Sequence, residues 1–164
     1  MAKNKKMELD SIKLNFHPLL QELLAAEHFK LKKQGDINCL ALRDLQFILD
    51  SRPISVCRTE HSNTFELLEL NPFVDLCRYH IQSKKLNVSL NIYDANDASR
   101  IITSLNISRL ALEYPISRHT PPLLFQRHQQ AVQMDLAPLT KKELSEFAQV
   151  CPSAIRASKR GSSI

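Results

Sequence analysis

The chain has 164 residues, 43% of them hydrophobic and 24% charged, which suits one compact domain or two very small ones. Only two glycines occur, Gly35 and Gly161, so no residue from Asp36 to Arg160 takes a positive φ without strain; this excludes the glycine-dependent phosphate loop, dinucleotide turn and nucleophile elbow. Lys and Arg number 22 against 17 Asp and Glu, a formal charge of +5 that permits a nucleic-acid partner without requiring one.

The basic excess lies at the ends: residues 1–33 carry seven Lys against four acids, and residues 141–164 carry five Lys and Arg against two. These ends read as solubilising tails or as contacts for an anionic partner. No apolar run is long enough to span a bilayer, and no apolar signal core follows Met1-Ala-Lys-Asn-Lys-Lys6, so the expected location is cytoplasmic. Cys39, Cys57, Cys77 and Cys151 are widely spaced with no C-x-x-C pair, the pattern of reduced thiols and not of a local zinc knuckle.

From His17 to Gln34, Leu19, Leu20, Leu23, Leu24, Phe29 and Leu31 fall mostly at helical spacing before Gly35, a residue suited to a left-handed cap. A second helical stripe, Leu40, Leu42, Leu45, Phe47, Ile48 and Leu49, runs to Asp50 and is closed by Arg52-Pro53. Pro53 to Cys57 is short, β-branched and extended. Asn71-Pro72 opens a third helix, with Phe73, Val74, Leu76, Cys77 and Ile81 on its face and an end near Gln82. Leu86, Val88, Leu90 and Ile92 alternate with polar residues, the clearest strand of the chain. Asp94 to Asp97 is a polar turn that caps a helix carrying Ile101, Ile102, Leu105, Leu110 and Leu112 towards Pro115. After the break at Pro115–Pro122, a helix continues through Leu123, Leu124, Phe125, Ala131, Val132 and Met134. Thr140-Lys-Lys-Glu143 has capping-box spacing for a short helix through Val150; Pro152 interrupts, and Ser153 to Arg160 can form another. Leu40, Leu45 and Pro53 recur 99 positions later as Leu139, Leu144 and Pro152, a weak internal echo.

No constellation has both the identity and the spacing that catalysis or metal binding requires, so no catalytic residue, metal or cofactor is assigned and the chain is not read as an enzyme. His17, His28, His61, His80, His119 and His128 form no H-x-x-x-H pair, and His61 between Glu60 and Ser62 is a chance neighbourhood more readily than a triad.

The informative segment is 139–160. Leu144, Phe147, Ala148 and Ile155 point inward if it forms two short helices broken at Cys151-Pro152, and basic and hydroxyl groups face out. That is the logic of a helix-turn-helix, in which one helix braces and the start of the next meets DNA. The candidate DNA contacts are Lys141, Lys142, Ser153, Arg156, Lys159 and Arg160, with Arg able to grip guanine edges or phosphate and Lys neutralising phosphate. A plain capped helix with a basic tail fits the same residues, and Pro152 allows 153–160 to be a helix or an extended arm.

The second half of the chain resembles FlhD, which works with FlhC in the flagellar master transcription activator. Leu105-Asn-Ile-Ser-Arg-Leu-Ala-Leu112 is similar to the family's I-N-L-S-Y-L-L-L helix, and Leu136-Ala-Pro-Leu-Thr-Lys-Lys-Glu-Leu-Ser-Glu-Phe-Ala148 to its L-G-A-L-T-x-x-x-M-x-x-L-A segment. Phe125 and Arg127 fall near its M-F-R-L-G, and Val150-Cys151 near its V-C. The chain departs from the pattern in lacking the R-L-G glycine, in inserting Pro115, Pro121 and Pro122, and in the long region before residue 100. The resemblance implies a mainly α fold with a minor β component: an α/β region over 1–95 and an FlhD-like helical region over 96–164. It further implies a homodimer within a hetero-oligomer with an FlhC-like zinc-binding subunit, meeting through Leu105, Leu110, Leu112 and Phe125. Double-stranded promoter DNA and RNA polymerase are the implied partners, with conjugative transfer or motility-type genes under control. Residues 44–97 resemble instead the amino-terminal domain of ParB-type partition proteins; where that family carries a G-E-R-R nucleotide motif this chain has Glu69-Leu-Asn-Pro-Phe73, so nucleotide binding does not carry over.

Overall fold

The structure is a computed structural model and describes residues 2–25, 36–113 and 121–156. The architecture is mixed α/β, and the chain divides into two compact units: unit 1 within Met1–Gln21 and Phe29–Ala98, unit 2 within Glu22–His28 and Ser99–Ile164.

Unit 1 is built on a five-stranded sheet, more β-structure than the two segments read as extended, 53–57 and 86–92, predict; both of those are realised as strands. Its strands are β1 (Lys3–Glu8), β2 (Lys13–Phe16), β3 (Ile54–Arg58), β4 (Thr64–Leu67) and β5 (Asn87–Tyr93), in the order β1-β5-β3-β4-β2. β5 runs parallel to β3, and β1 closes the far edge antiparallel to β5. On the other side β4 is antiparallel to β3 and parallel to β2. The alternation read at residues 86–92 is realised: Val88, Leu90 and Ile92 are buried, and the residues between them are half-buried. Register places Lys3, Lys5 and Met7 on the same face as Ile92, Leu90 and Val88, with Ile54, Val56, Phe65 and Leu67 completing that face. Lys6 points the other way and donates to Asp50 at 3.0 Å, which holds that carboxyl below its usual range.

The first two helices are shorter than their apolar patterns. α1 (Pro18–Leu23) starts where His17 Nδ1 accepts the Leu19 N–H at 3.2 Å; the remainder of the helix expected to Gln34, with its Gly35 cap, falls outside the described residues. α2 (Leu42–Ser51) buries only Leu45 and Leu49, leaving Leu40, Phe47 and Ile48 outward. Its Gln46 side chain both accepts from the Asn87 N–H and donates to the Asn87 carbonyl, tying α2 to the start of β5.

α3 (Pro72–Cys77) ends well before Gln82 because Arg78, Tyr79 and His80 donate to carbonyls only two or three residues back, tightening the last turn. Buried His80 then accepts the Gln82 N–H on Nδ1, and Ile81, expected inside, stands exposed. Asn71 caps through its backbone alone, its carbonyl accepting the Val74 N–H.

In unit 2 the helix expected from Asp97 to Pro115 is interrupted. α4 (Ala98–Thr103) passes through a π-helical turn, Ser104–Ser108, into α5 (Arg109–Glu113). α6 (Pro121–Gln133) packs against that turn, and α7 (Lys141–Phe147) against α5. Two buried polar residues mend the irregular backbone: Asn106 Nδ2 donates to the Ile102 carbonyl at 2.8 Å, and Arg127 Nη1 donates to the Asn106 carbonyl at 3.2 Å.

Left-handed turns occur without glycine. Asn63, Asp135, Ala137 and Gln149 all take positive φ, Asn and Asp at little cost, Ala and Gln at roughly 1 kcal/mol each. α2 and α7 begin 99 residues apart, yet α2 leads into a strand and α7 into a single turn, and only α7 has a side-chain cap; the internal echo marks no repeated unit.

Candidate nucleic-acid interface

The segment 139–156 is assembled from its cap outward. Thr140 Oγ1 accepts the Glu143 N–H at 3.3 Å, while Glu143 Oε2 accepts the Thr140 N–H at 2.7 Å and the hydroxyl at 2.8 Å, a complete capping box that lowers the Glu143 pKa. His128 Nε2 on α6 lies 3.0 Å from the Leu139 carbonyl, so it carries the ring proton and pins the entry to α7. Leu144 and Ala148 are buried beneath the helix, and Ile155 is buried after it.

α7 stops at Phe147, short of the expected Val150. Gln149 turns left-handed at φ 52°, and the Val150 N–H reaches back to the Ser145 carbonyl at 3.0 Å, the six-to-one closure of a Schellman end with Gln in the position usually held by Gly. Beyond it, Pro152–Ala154 is one 3-10 turn closed by the Ala154 N–H on the Cys151 carbonyl at 2.8 Å. A second helix beginning at Ser153 is therefore not formed at its start.

Of the candidate DNA contacts, Lys142, Ser153 and Arg156 are exposed. Lys141 is half-buried, its ammonium 5.2 Å from the Phe125 ring centroid, so α6 draws it away from solvent. Lys159 and Arg160 lie outside the described residues. The candidate interface residues divide: Leu105, Leu110 and Phe125 are half-buried within unit 2, and Leu112 is exposed.

His61, Glu60 and Ser62 stand exposed on the β3–β4 turn. Burial pushes the thiols of Cys57 and Cys77 up to about 11, aided at Cys57 by the carboxylates of Glu66, Asp94 and Asp97, so both are protonated at neutral pH. Among the described residues no group of three His, Cys, Asp or Glu is placed to hold a metal ion, and no helix is long and apolar enough to cross a membrane.

A second basic concentration was not read from the sequence. Lys3 and Lys5 of β1 and Arg58 at the end of β3 border two adjoining clefts of about 290 and 250 Å³ that share Arg58. The available signal was the Lys3-Asn-Lys5 alternation, hidden because the segment resembles a charged tail.

No protein-family model matches the chain, and no curated protein is significantly similar to it.

Proposed function

We propose that the chain is a DNA-binding transcription regulator, an FlhD-like subunit that acts with an FlhC-like zinc-binding partner at promoter DNA and through it on RNA polymerase. One observation carries this reading: a capped, hydrophobically braced α7 followed by a tight proline turn, with Lys142, Ser153 and Arg156 exposed around the bend. A turn flanked by exposed Lys and Arg can meet phosphates and base edges while Leu144, Ala148 and Ile155 hold it in place. Exposed Leu112 is the apolar contact on offer to a partner subunit.

The test is fluorescence anisotropy with DNA from upstream of the chain's own operon, using the chain alone and co-purified with the products of neighbouring genes. Binding is expected to weaken steeply with salt. Replacement of Lys142, Ser153, Arg156, Lys159 and Arg160 by Ala is expected to abolish it with the fold intact; unchanged binding rejects their role.

A second reading, a ParB-type DNA-binding protein that has lost its nucleotide motif, is supported by the extent of that resemblance: residues 44–97 span most of α2, then β3, β4, α3 and β5, a continuous block at the centre of the sheet. Glu69, where the nucleotide motif would begin, is buried. DNA binding by the chain alone, without nucleotide and with no capture of an FlhC-like partner, would move the assignment to this second family.

A further inference from the structure

We propose that the face of unit 1 bearing Lys3, Lys5 and Arg58 is a second nucleic-acid contact, a cleft that seats consecutive phosphates of a DNA backbone. The choice of DNA as the polyanion rests on the function proposed above; the site itself rests on independent geometry.

Lys3 and Lys5 alternate along β1 and so project from one face about 7 Å apart. Across β5, Arg58 closes the row where β3 ends, exposed like the two lysines. None of the three side chains makes a hydrogen bond or ion pair among the described residues, in contrast to Lys6 on the opposite face, which is held by Asp50. Three cations that converge without acid partners leave a positive potential that an anion would neutralise. The acids bordering the clefts are Glu60 in one and Asp94 in the other, fewer than the cations present.

The shape selects the ligand. Two adjoining clefts, one with Lys5 and the other with Lys3, share Arg58 between them, an arrangement for repeated charges and not for one compact anion. Ser62, Asn63 and Thr64 add hydroxyl and amide groups to the first cleft. Its turn is preorganised: the Thr59 hydroxyl donates to the Thr64 carbonyl at 3.0 Å, and Asn63 holds φ 63°. Of the rings that line the two clefts, Phe65 is buried, Tyr93 is half-buried and only the His61 imidazole is exposed. Walls in which cationic and polar groups predominate match sequence-independent backbone contact.

The experiment measures anisotropy of a labelled random-sequence duplex across a salt series, with the full chain. Lys3→Gln/Lys5→Gln/Arg58→Gln is expected to weaken binding about tenfold or more at low salt and to reduce the slope of log K against log salt by roughly 2 to 3, since each lost phosphate contact removes about 0.9. Lys84→Gln/Lys85→Gln, a change of two exposed charges on another turn, is expected to leave the slope unchanged. If the triple variant melts early, Lys3→Gln/Lys5→Gln replaces it, since both side chains are exposed and unbonded, with a slope change of about 2. An unaltered slope in that double variant, or an equal loss in the Lys84/Lys85 control, overturns the proposal. Lys142→Gln/Arg156→Gln, measured in parallel, separates the two readings. Loss there with an intact slope in the β1 variants leaves the unit 2 assignment standing and this one refuted, and the reverse pattern does the opposite. Absence of binding by the unsubstituted chain overturns this proposal, and absence of binding by the co-purified complex as well overturns the unit 2 assignment.

Discussion

The two basic segments, 3–6 and 141–156, look alike as strings of residues and differ entirely as structures. The first is an edge strand paired along its length with β5, more than eighty positions away in sequence. The second is a local device: a capped helix, a left-handed residue and a proline turn, all of whose backbone closures lie within a few residues. The difference teaches that a run of lysines reports exposure, not disorder. Charge on an edge strand also blocks edge-to-edge pairing with other chains, so β1 is basic for a structural reason as well.

Four measurements would break or sharpen that contrast. The largest effect is expected from Leu90→Ala, which removes a fully buried side chain directly opposite Lys5; urea unfolding should show a loss of about 3 kcal/mol, and a β1 that were only a tail would lose its amide protection no faster than before. Arg127→Met should cost about 2 kcal/mol by removing the buried hydrogen bond from the guanidinium to the Asn106 carbonyl, a penalty confined to the interrupted helices of unit 2.

Thr140→Ala should cost about 1 kcal/mol through the lost cap. Here pH supplies a further check. The capping box holds the Glu143 carboxyl below its unfolded value, so its contribution is present above the unfolded pKa of 4.5 and is lost as pH falls through the lower folded value. Wild type and Glu143→Gln should therefore differ at neutral pH and converge in strong acid in thermal melts. Gln149→Gly, the smallest change, should stabilise by about 0.5 kcal/mol, because relief of left-handed strain slightly outweighs the added entropy of the unfolded chain.

Legibility followed the range of the interaction. The strand at 86–92, the helix closed before Pro53 and the capping box at Thr140 are each written within a few residues, by period, proline geometry or paired side chains. β1, β2 and β4 are not legible in the sequence because Lys13-Leu-Asn-Phe16 and Thr64-Phe-Glu-Leu67 alternate over only four residues each, and half of β1 is lysine. Helix ends were overestimated at Gln82 and Val150, where i to i+3 closure and a left-handed Gln did what glycine does in other chains. Glycine scarcity removes the glycine-dependent motifs from the sequence but does not forbid positive φ: Ala137 and Gln149 both adopt it at exposed positions, Gln149 held by the local closure of Val150 onto Ser145.

The candidate site divides in the same way. Lys142, Ser153 and Arg156 were named from local pattern and are exposed, whereas Lys141 turned inward onto Phe125, a contact between α6 and α7 that spacing along one helix does not encode. The Lys3–Lys5–Arg58 cleft required β1, β5 and β3 to be placed side by side.

By itself, then, the sequence determined the absence of glycine-dependent motifs, the helical character of the second half, the half-buried strand and the cap of α7. Those features depend on backbone preferences and on side chains one to four residues apart. Tertiary structure alone decided that the basic amino terminus is a strand, that the helix near Asn106 opens into a π turn sealed by Arg127, and which cations face a common cleft. These depend on hydrogen bonds and charges brought together over tens of residues, whose free energy arises only once the intervening chain has closed.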